Sequence, residues 1–271
     1  MDIKVGTLDR PRLDPVAISG KLAELGCSWA HVLVRDAVTS TNDEVMEVWQ
    51  AASEPVVVLA ANEQLSGRGR LQRAWSSPAG ACVAMSVALP LDVVRASQVE
   101  VSALPLYVGL CVTRALEGAG FLAGIKWPND LVVVDEAGAV LKLGGILVQL
   151  QADAVVIGIG INVSLTQDEL PVPAATSLNL LGCVISREEL IARVVSELSH
   201  IVDQDVSQDW LNTYREACVT LAQSVRVTQV AGSTIDGIAL DIDAYGQLIV
   251  ESNGELVAVS VGDVEHVRPL D

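Results

Sequence analysis

A chain of 271 residues, 51% hydrophobic and 3% aromatic, has the length for one large domain or a medium one with a small one, and its core must be built from Ala, Val, Leu and Ile; the composition argues against disorder. Lys plus Arg number 17 against 34 Asp plus Glu, a formal charge of −17, which disfavours bulk binding to a phosphate backbone and means that any bound anion needs a local cluster of cations. Five cysteines without a CxxC and three scattered histidines give no zinc or histidine-metal pattern, and the odd, isolated thiols read as buried groups in a reducing cytoplasm.

The N-terminal stretch MDIKVGTLDRPRLDP lacks an apolar signal core, and no apolar run reaches 18 residues, so neither a secretory signal nor a membrane span is expected. Residues 14–26 predict a short helix. HVLVRDAVTST predicts a strand running to Ser40 and Thr41, where Thr41 and Glu44 have the S/T-x-x-E spacing of a capping box that opens a helix to about Ala52. PVVVLAAN and CVAMSVALP are apolar strands, and 105–117 predicts a helix with Pro in its first turn and glycines at its end. AGIKWPNDLVVVD predicts strand, turn, strand; LGGILVQLQ and AVVIGIGINV follow as apolar strands, then helical spacing over 187–203 and 207–219.

From about Ser224 the pattern changes to short strands of alternating polarity: VRVTQV, TIDGIALDID, QLIVES and ELVAVSVGDVEHV, with turns at AYGQ and SNGE. These predict a small barrel at the C-terminus. In the body, strands group with strands, so a regular βαβ winding is not implied.

Five motifs point to chemistry. SGRGRLQRAW places Arg68, Arg70 and Arg73 within six positions, jointed by Gly67 and Gly69, which permit close backbone approach while the arginines offer planar contacts to carboxylate or phosphate. It has no P-loop spacing. KWPND ends a strand at Lys126, with Trp127 as apolar packing, and Asn129 and Asp130 either capping the turn or, for Asp130, lying near a nucleotide-borne Mg²⁺. TSTN offers hydroxyls and helix-start N–H groups to a polar head group. KLGGIL adds Lys142 as a second cation, and GIGIN supplies glycines beside a flat ligand. No Ser-His-Asp or Cys-His set and no paired carboxylates stand out. A site of cations, glycines and hydroxyls suits a reaction between two anions that needs charge neutralisation rather than a protein nucleophile.

The ordered set TSTN, GRGRLQRAW, KWPND, KLGGILVQ and GIGINV, over about residues 35–165, closely resembles the biotin protein ligases. Lipoate ligases share that fold but typically lack the GRGR stretch; a lipoate or other acyl-acid ligase, or a non-catalytic biotin sensor, are the competing readings. The resemblance implies a mixed α/β (α+β) fold, with a class II-synthetase-like catalytic unit over 1–222 and an SH3-like β-barrel over 223–271. It implies ATP and biotin as substrates, Mg²⁺ with the nucleotide, and a biotin carboxyl carrier domain of acyl-CoA carboxylases as protein partner. By motif, biotin falls to Ser40, Thr41, Asn42, Gln64, Gly67, Arg68, Gly69, Arg70, Lys126, Gly158 and Gly160. The nucleotide falls to Arg70, Arg73, Trp75, Asn129, Lys142 and Asn162, with Lys126 and Arg70 as the catalytic pair. Two departures stand out: QLSGRGR replaces a commoner Gln-x-Ala-Gly pattern, and Gln149 stands where the resemblance has Glu, with no role assigned. About 38 residues precede TSTN, too few for a winged helix-turn-helix, so no DNA partner is expected. The 64–76 stretch is expected to be mobile when empty, on the ground that its arginines would lack counter-anions.

Overall fold

A computed structural model describes residues 9–27, 29–52, 54–229 and 232–266. The first eight residues of the N-terminal stretch, and the ends of the expected strands at Val230 and Val267, lie outside these. In chain order the elements are α1 (Pro15–Glu24), β1 (Val32–Val38), α2 (Thr41–Ala51), β2 (Val57–Gln64), β3 (Gly67–Arg68), β4 (Ala74–Trp75), β5 (Cys82–Pro90), α3 (Leu91–Ala96) and α4 (Leu104–Glu117). They continue with β6 (Gly124–Lys126), β7 (Asp130–Val134), β8 (Val140–Gln151), β9 (Ala154–Asn162), α5 (Arg187–Val202) and α6 (Trp210–Ala217). The last five are β10 (Ser224–Thr228), β11 (Thr234–Ile242), β12 (Leu248–Ser252), β13 (Glu255–Val259) and β14 (Asp263–His266).

Seven strands form one mixed sheet in the order β1-β2-β5-β9-β8-β7-β6, in which β1 and β2 run parallel and the remaining neighbours antiparallel. The central strands are apolar at nearly every position because both faces are covered. Alternation sorts them: Val58, Ala60, Val83, Met85, Ile157 and Ile159 pack under α1, α4 and α5, while Val57, Leu59, Ala88 and Val156 pack under Val45 and Met46 of α2. That second face also carries Ser86, Gly158 and Gly160, so the same period-two rule that builds the core aims small and polar positions at α2.

Five short strands after α6 form an antiparallel sheet, β13-β12-β11-β10-β14, as the alternating polarity predicts. Its β12–β13 hairpin turns on Asn253 and Gly254, both at positive φ, the conformation a two-residue I′ turn demands. ELVAVSVGDVEHV does not run as one strand: Gly262 sits so close to Val227 that a side chain there would clash, and the chain bends between β13 and β14.

Three further expectations need correction. There is no capping box at the start of α2. Ser40 is the N-cap, without a side-chain bond, and the Thr41 hydroxyl turns instead to Gln64 and Ser86, while Glu44 accepts from Arg35 at 3.1 Å. Capture by a buried network outweighs local capping there; a capping box does form at Thr166–Glu169. The strand before TSTN stops at Val38, and α6 is shorter than 207–219. The β3–β4 ribbon and α3 were not expected: two-residue strands and a six-residue helix carry no periodic signal. Among the described residues no helix is long and apolar enough to cross a membrane.

Candidate active site

One cavity of about 660 Å³ opens on the α2 face of the large sheet, between the N-terminus of α2, the β3–β4 ribbon, the β6–β7 turn and the edge of the C-terminal sheet. It brings together all the expected site residues but Gly67. A side chain at 67 would meet the Trp75 carbonyl oxygen at 2.5 Å and Gln64 Nε2 at 2.9 Å, so this glycine lets β3 lie against β4 and does not face a ligand.

At one end every polar group is neutral. Gln64 Oε1 accepts from the Thr41 backbone N–H at 2.8 Å and lies 3.0 Å from its hydroxyl. Ser86 Oγ, fully buried, lies 2.7 Å from Thr41 Oγ1 and 2.6 Å from Asn42 Oδ1. Asn42 Nδ2 donates to Gln149 Oε1 at 2.7 Å. The floor is β9: a side chain at Gly158 would collide with the Asn42 amide, and one at Gly160 would meet the Trp75 ring at 2.7 Å. These glycines exist to admit two other side chains, so the ligand floor is made of Asn42 and Trp75 as much as of backbone. The Trp75 N–H is buried without an oxygen or nitrogen partner among the described residues, with the weakly accepting Cys82 thiol beside it.

At the other end the groups are cationic. Lys126 closes β6 and is half-buried; burial pulls its pKa below the ordinary lysine range, while the carboxylates of Asp130, Glu265 and Asp263 act against that from a distance. Lys142 Nζ pairs with Asp130 Oδ1 at 2.6 Å. Arg70 donates to Asn129 Oδ1 at 3.2 Å and to the Gly262 carbonyl at 3.4 Å, and burial lowers its pKa too. Arg68 is paired with Asp43 and Arg73 with Asp263. The premise that empty arginines lack counter-anions therefore fails for Arg68 and Arg73, each paired with a carboxylate, while Arg70 meets only neutral oxygens; a ligand anion would compete with all of these partners. Asn129 and Asn162 are also engaged, their amide nitrogens donating to the carbonyls of Ile146 at 2.8 Å and Thr176 at 2.9 Å, so these two shape the backbone around the cavity.

Two groups escaped the sequence reading. Ser86 lies in an apolar strand with no motif around it, and Gln149 carried no assigned role; only alternation on β5 and β8 hinted that both point to the α2 face. Asp263 and Glu265, lining the mouth from β14, are brought in by the C-terminal sheet.

A glycine-floored cavity running from a neutral hydrogen-bonding end to a cationic one, on a mixed sheet, suits a class of enzyme: ligases that activate a small organic acid. Comparison narrows it. Residues 34–164 match the model of the biotin/lipoate A/B protein ligase family, and residues 220–267 that of the biotin protein ligase C-terminal domain. The chain is 35% identical over 272 residues to a biotin–[acetyl-CoA-carboxylase] ligase of Mycobacterium tuberculosis, covering 96% of this chain and 97% of the relative. It is 28% identical to the bifunctional ligase/repressor BirA of Bacillus subtilis, covering 87% of this chain and 74% of that one. The biotin protein ligase of Aquifex aeolicus, solved in complex with biotin and ATP, superimposes with a TM-score of 0.72 at 25% identity over 88% of this chain and 98% of that one. The chain belongs to the biotin protein ligase family.

Proposed function

We propose that this chain joins biotin to ATP as biotinyl-5′-adenylate and passes the biotinyl group to a lysine on the carrier domain of a biotin-dependent acyl-CoA carboxylase. The observation that carries this is the shared cavity, with Thr41, Asn42 and Gln64 at its neutral end and Lys126, Arg70, Arg73 and Lys142 at its cationic end. An uncharged ring with N–H and C=O groups suits the first end, and a carboxylate meeting a triphosphate suits the second.

In the first step a carboxylate oxygen forms a bond to the α-phosphorus as the bond to the pyrophosphate oxygen breaks. Both reactants are anions, so holding them together is most of the catalysis, and Lys126 between them offsets their repulsion. In the second step the carrier lysine amine attacks the acyl carbon, loses its proton and releases AMP. We assign biotin to the groups around α2, Ser40, Arg68, Gly69 and the β9 glycines, and the nucleotide to Arg73, Trp75, Asn129, Lys142 and Asn162.

Magnesium enters this reading as the nucleotide's own counter-ion, with Asp130, which lines the cavity, offering one carboxylate. We place the reaction in the cytoplasm, which suits the five free thiols. Residues 1–222 act as the catalytic unit, and 223–271 as the smaller unit that helps close the cavity.

Exchange of labelled pyrophosphate into ATP tests the reading. Exchange driven by biotin and not by lipoate is the expected result. Exchange driven by lipoate would make this a lipoate ligase, and biotin binding without exchange would make it a sensor.

A further inference from the structure

The neutral end of the cavity is backed by a chain of five side chains, Gln149, Asn42, Ser86, Thr41 and Gln64, of which Asn42, Thr41 and Gln64 line it. Its protons can be counted. Ser86 has one hydroxyl hydrogen but lies within hydrogen-bond distance of both Thr41 Oγ1 and Asn42 Oδ1, so it donates to one and accepts from the other. With Asn42 Nδ2 on Gln149 Oε1, Asn42 turns its oxygen to Ser86, Ser86 donates to it, and the Thr41 hydroxyl donates to Ser86. If both amides were turned over, Asn42 would donate to Ser86, Ser86 to Thr41, and Thr41 to Gln64. The two directions differ at the inner end: in the first, Thr41 Oγ1 faces Gln64 Oε1 at 3.0 Å with no hydrogen between them, and in the second the Thr41 hydroxyl donates to that oxygen, so the hydrogen-bonding character presented to a ligand differs.

The two ends therefore pull in opposite directions: Gln64, fixed by the Thr41 backbone N–H, favours the second, and Gln149, whose Oε1 faces Asn42 Nδ2 at the outer end, favours the first. It stands on β8 opposite Val156 of β9, on the same face as Gly145 and Leu147, which line the cavity. Gln149 does not line the cavity itself; it stands behind Asn42. Asn42 is pressed against Gly158 and is 4% exposed, so its amide has little freedom except to turn over.

We infer that Gln149 is a positioning residue: its Oε1 holds the Asn42 amide with its oxygen toward Ser86, and so sets the donor–acceptor pattern that selects the ligand's head group. This rests on the proposed function for the identity of the ligand, though not for the wiring. Glutamate at this position is an acceptor only and would hold Asn42 the same way; an apolar residue would release it.

The test compares wild type, Gln149→Leu and Gln149→Glu by pyrophosphate exchange and by calorimetry with biotin alone. Gln149→Leu should raise the KM for biotin and weaken its Kd about tenfold, the scale of one neutral hydrogen bond, while kcat and the KM for ATP stay within about twofold. Gln149→Glu should restore both values toward wild type. In an Asn42→Ala background, Gln149→Leu should add nothing, since it acts through Asn42. An unchanged biotin Kd in Gln149→Leu, a Gln149→Glu variant as weak as the leucine one, or additive losses in the double variant would each overturn the inference. A wild type that binds biotin without exchange would count against the proposed function while leaving the Kd comparison to decide the role of Gln149.

Discussion

Lys126 is the residue where burial and chemistry meet. A half-buried ammonium whose pKa has been lowered is a charge held at a cost, and bringing two anions beside it recovers that cost when they bind. Lys126→Ala should slow biotin-dependent exchange by about 10²–10³ while leaving the fold intact, since a lysine at a strand end carries little of the core. A well-folded variant with near-normal exchange would remove Lys126 from the reaction. The pH dependence has a definite sign. Because the folded pKa lies below the ordinary 10.5, the charged form penalises the fold at low pH, and stability recovers as pH rises through the window between the two values. Activity runs the other way: it needs the ammonium, so exchange should fall as pH rises through the lowered pKa. Saturating ligand should shift that fall to higher pH, and a pH–rate profile at two biotin concentrations measures it.

At the scale of elements, the ribbon from Gly67 to Trp75 is held from three sides. Arg68 reaches α2 through Asp43, Arg70 reaches the β6–β7 turn through Asn129, and Arg73 reaches the start of β14 through Asp263. Arg70 is the most buried of these ties and also bonds the Gly262 carbonyl, so it links the ribbon to both sheets. Arg70→Gly removes the tie and adds backbone freedom, which should leave the closed ribbon less populated. Lys126 would remain, so adenylate should still form but escape. The measurable outcome is biotin appearing on serum albumin incubated with the variant and MgATP, well above the wild-type level. Labelling no greater than wild type, from a variant still active on a carrier domain, would show that Arg70 does not retain the intermediate.

On the scale of the whole molecule, the C-terminal sheet is built into the catalytic body. The Trp127 indole N–H, 1% exposed, donates to the Gly246 carbonyl at 2.9 Å, Arg215 pairs with Asp241 at 2.6 Å, and the Ala222 N–H donates to Ala239 at 2.8 Å. These contacts make a single unfolding transition the expected behaviour. Trp127→Phe would strand a buried carbonyl and open a small void, for a loss of about 2 kcal/mol in denaturant unfolding. Two separated transitions in the wild type would show that the sheets do not support one another. The net charge of −17 belongs to this scale as well: it should keep the chain off DNA, and sequence-specific retardation of a DNA fragment at moderate salt would contradict that.

Much of this was legible in the sequence because it is local. The cationic stretch, the strand end at Lys126, the glycine-bearing strands and the alternating C-terminal segment each announce themselves within a dozen residues, and their order carries the family resemblance. The tertiary structure decided what depends on partners far apart in the chain. Thr41 reads as half of a capping box because Glu44 is three residues away, yet its hydroxyl goes to Gln64, 23 positions on, and to Ser86, 45 positions on. Gly67 and Gly160 read alike as glycines for ligand approach, but one admits a neighbouring strand and the other the Trp75 ring. Arg68 and Arg73 read as unmet charges until Asp43 and Asp263, 25 and 190 positions away, arrive beside them. Hydrophobic periodicity places a residue on a face; which buried donor finds which acceptor across that face is settled only when the strands and helices pack, because a polar group removed from water takes whatever partner the fold brings within about 3 Å.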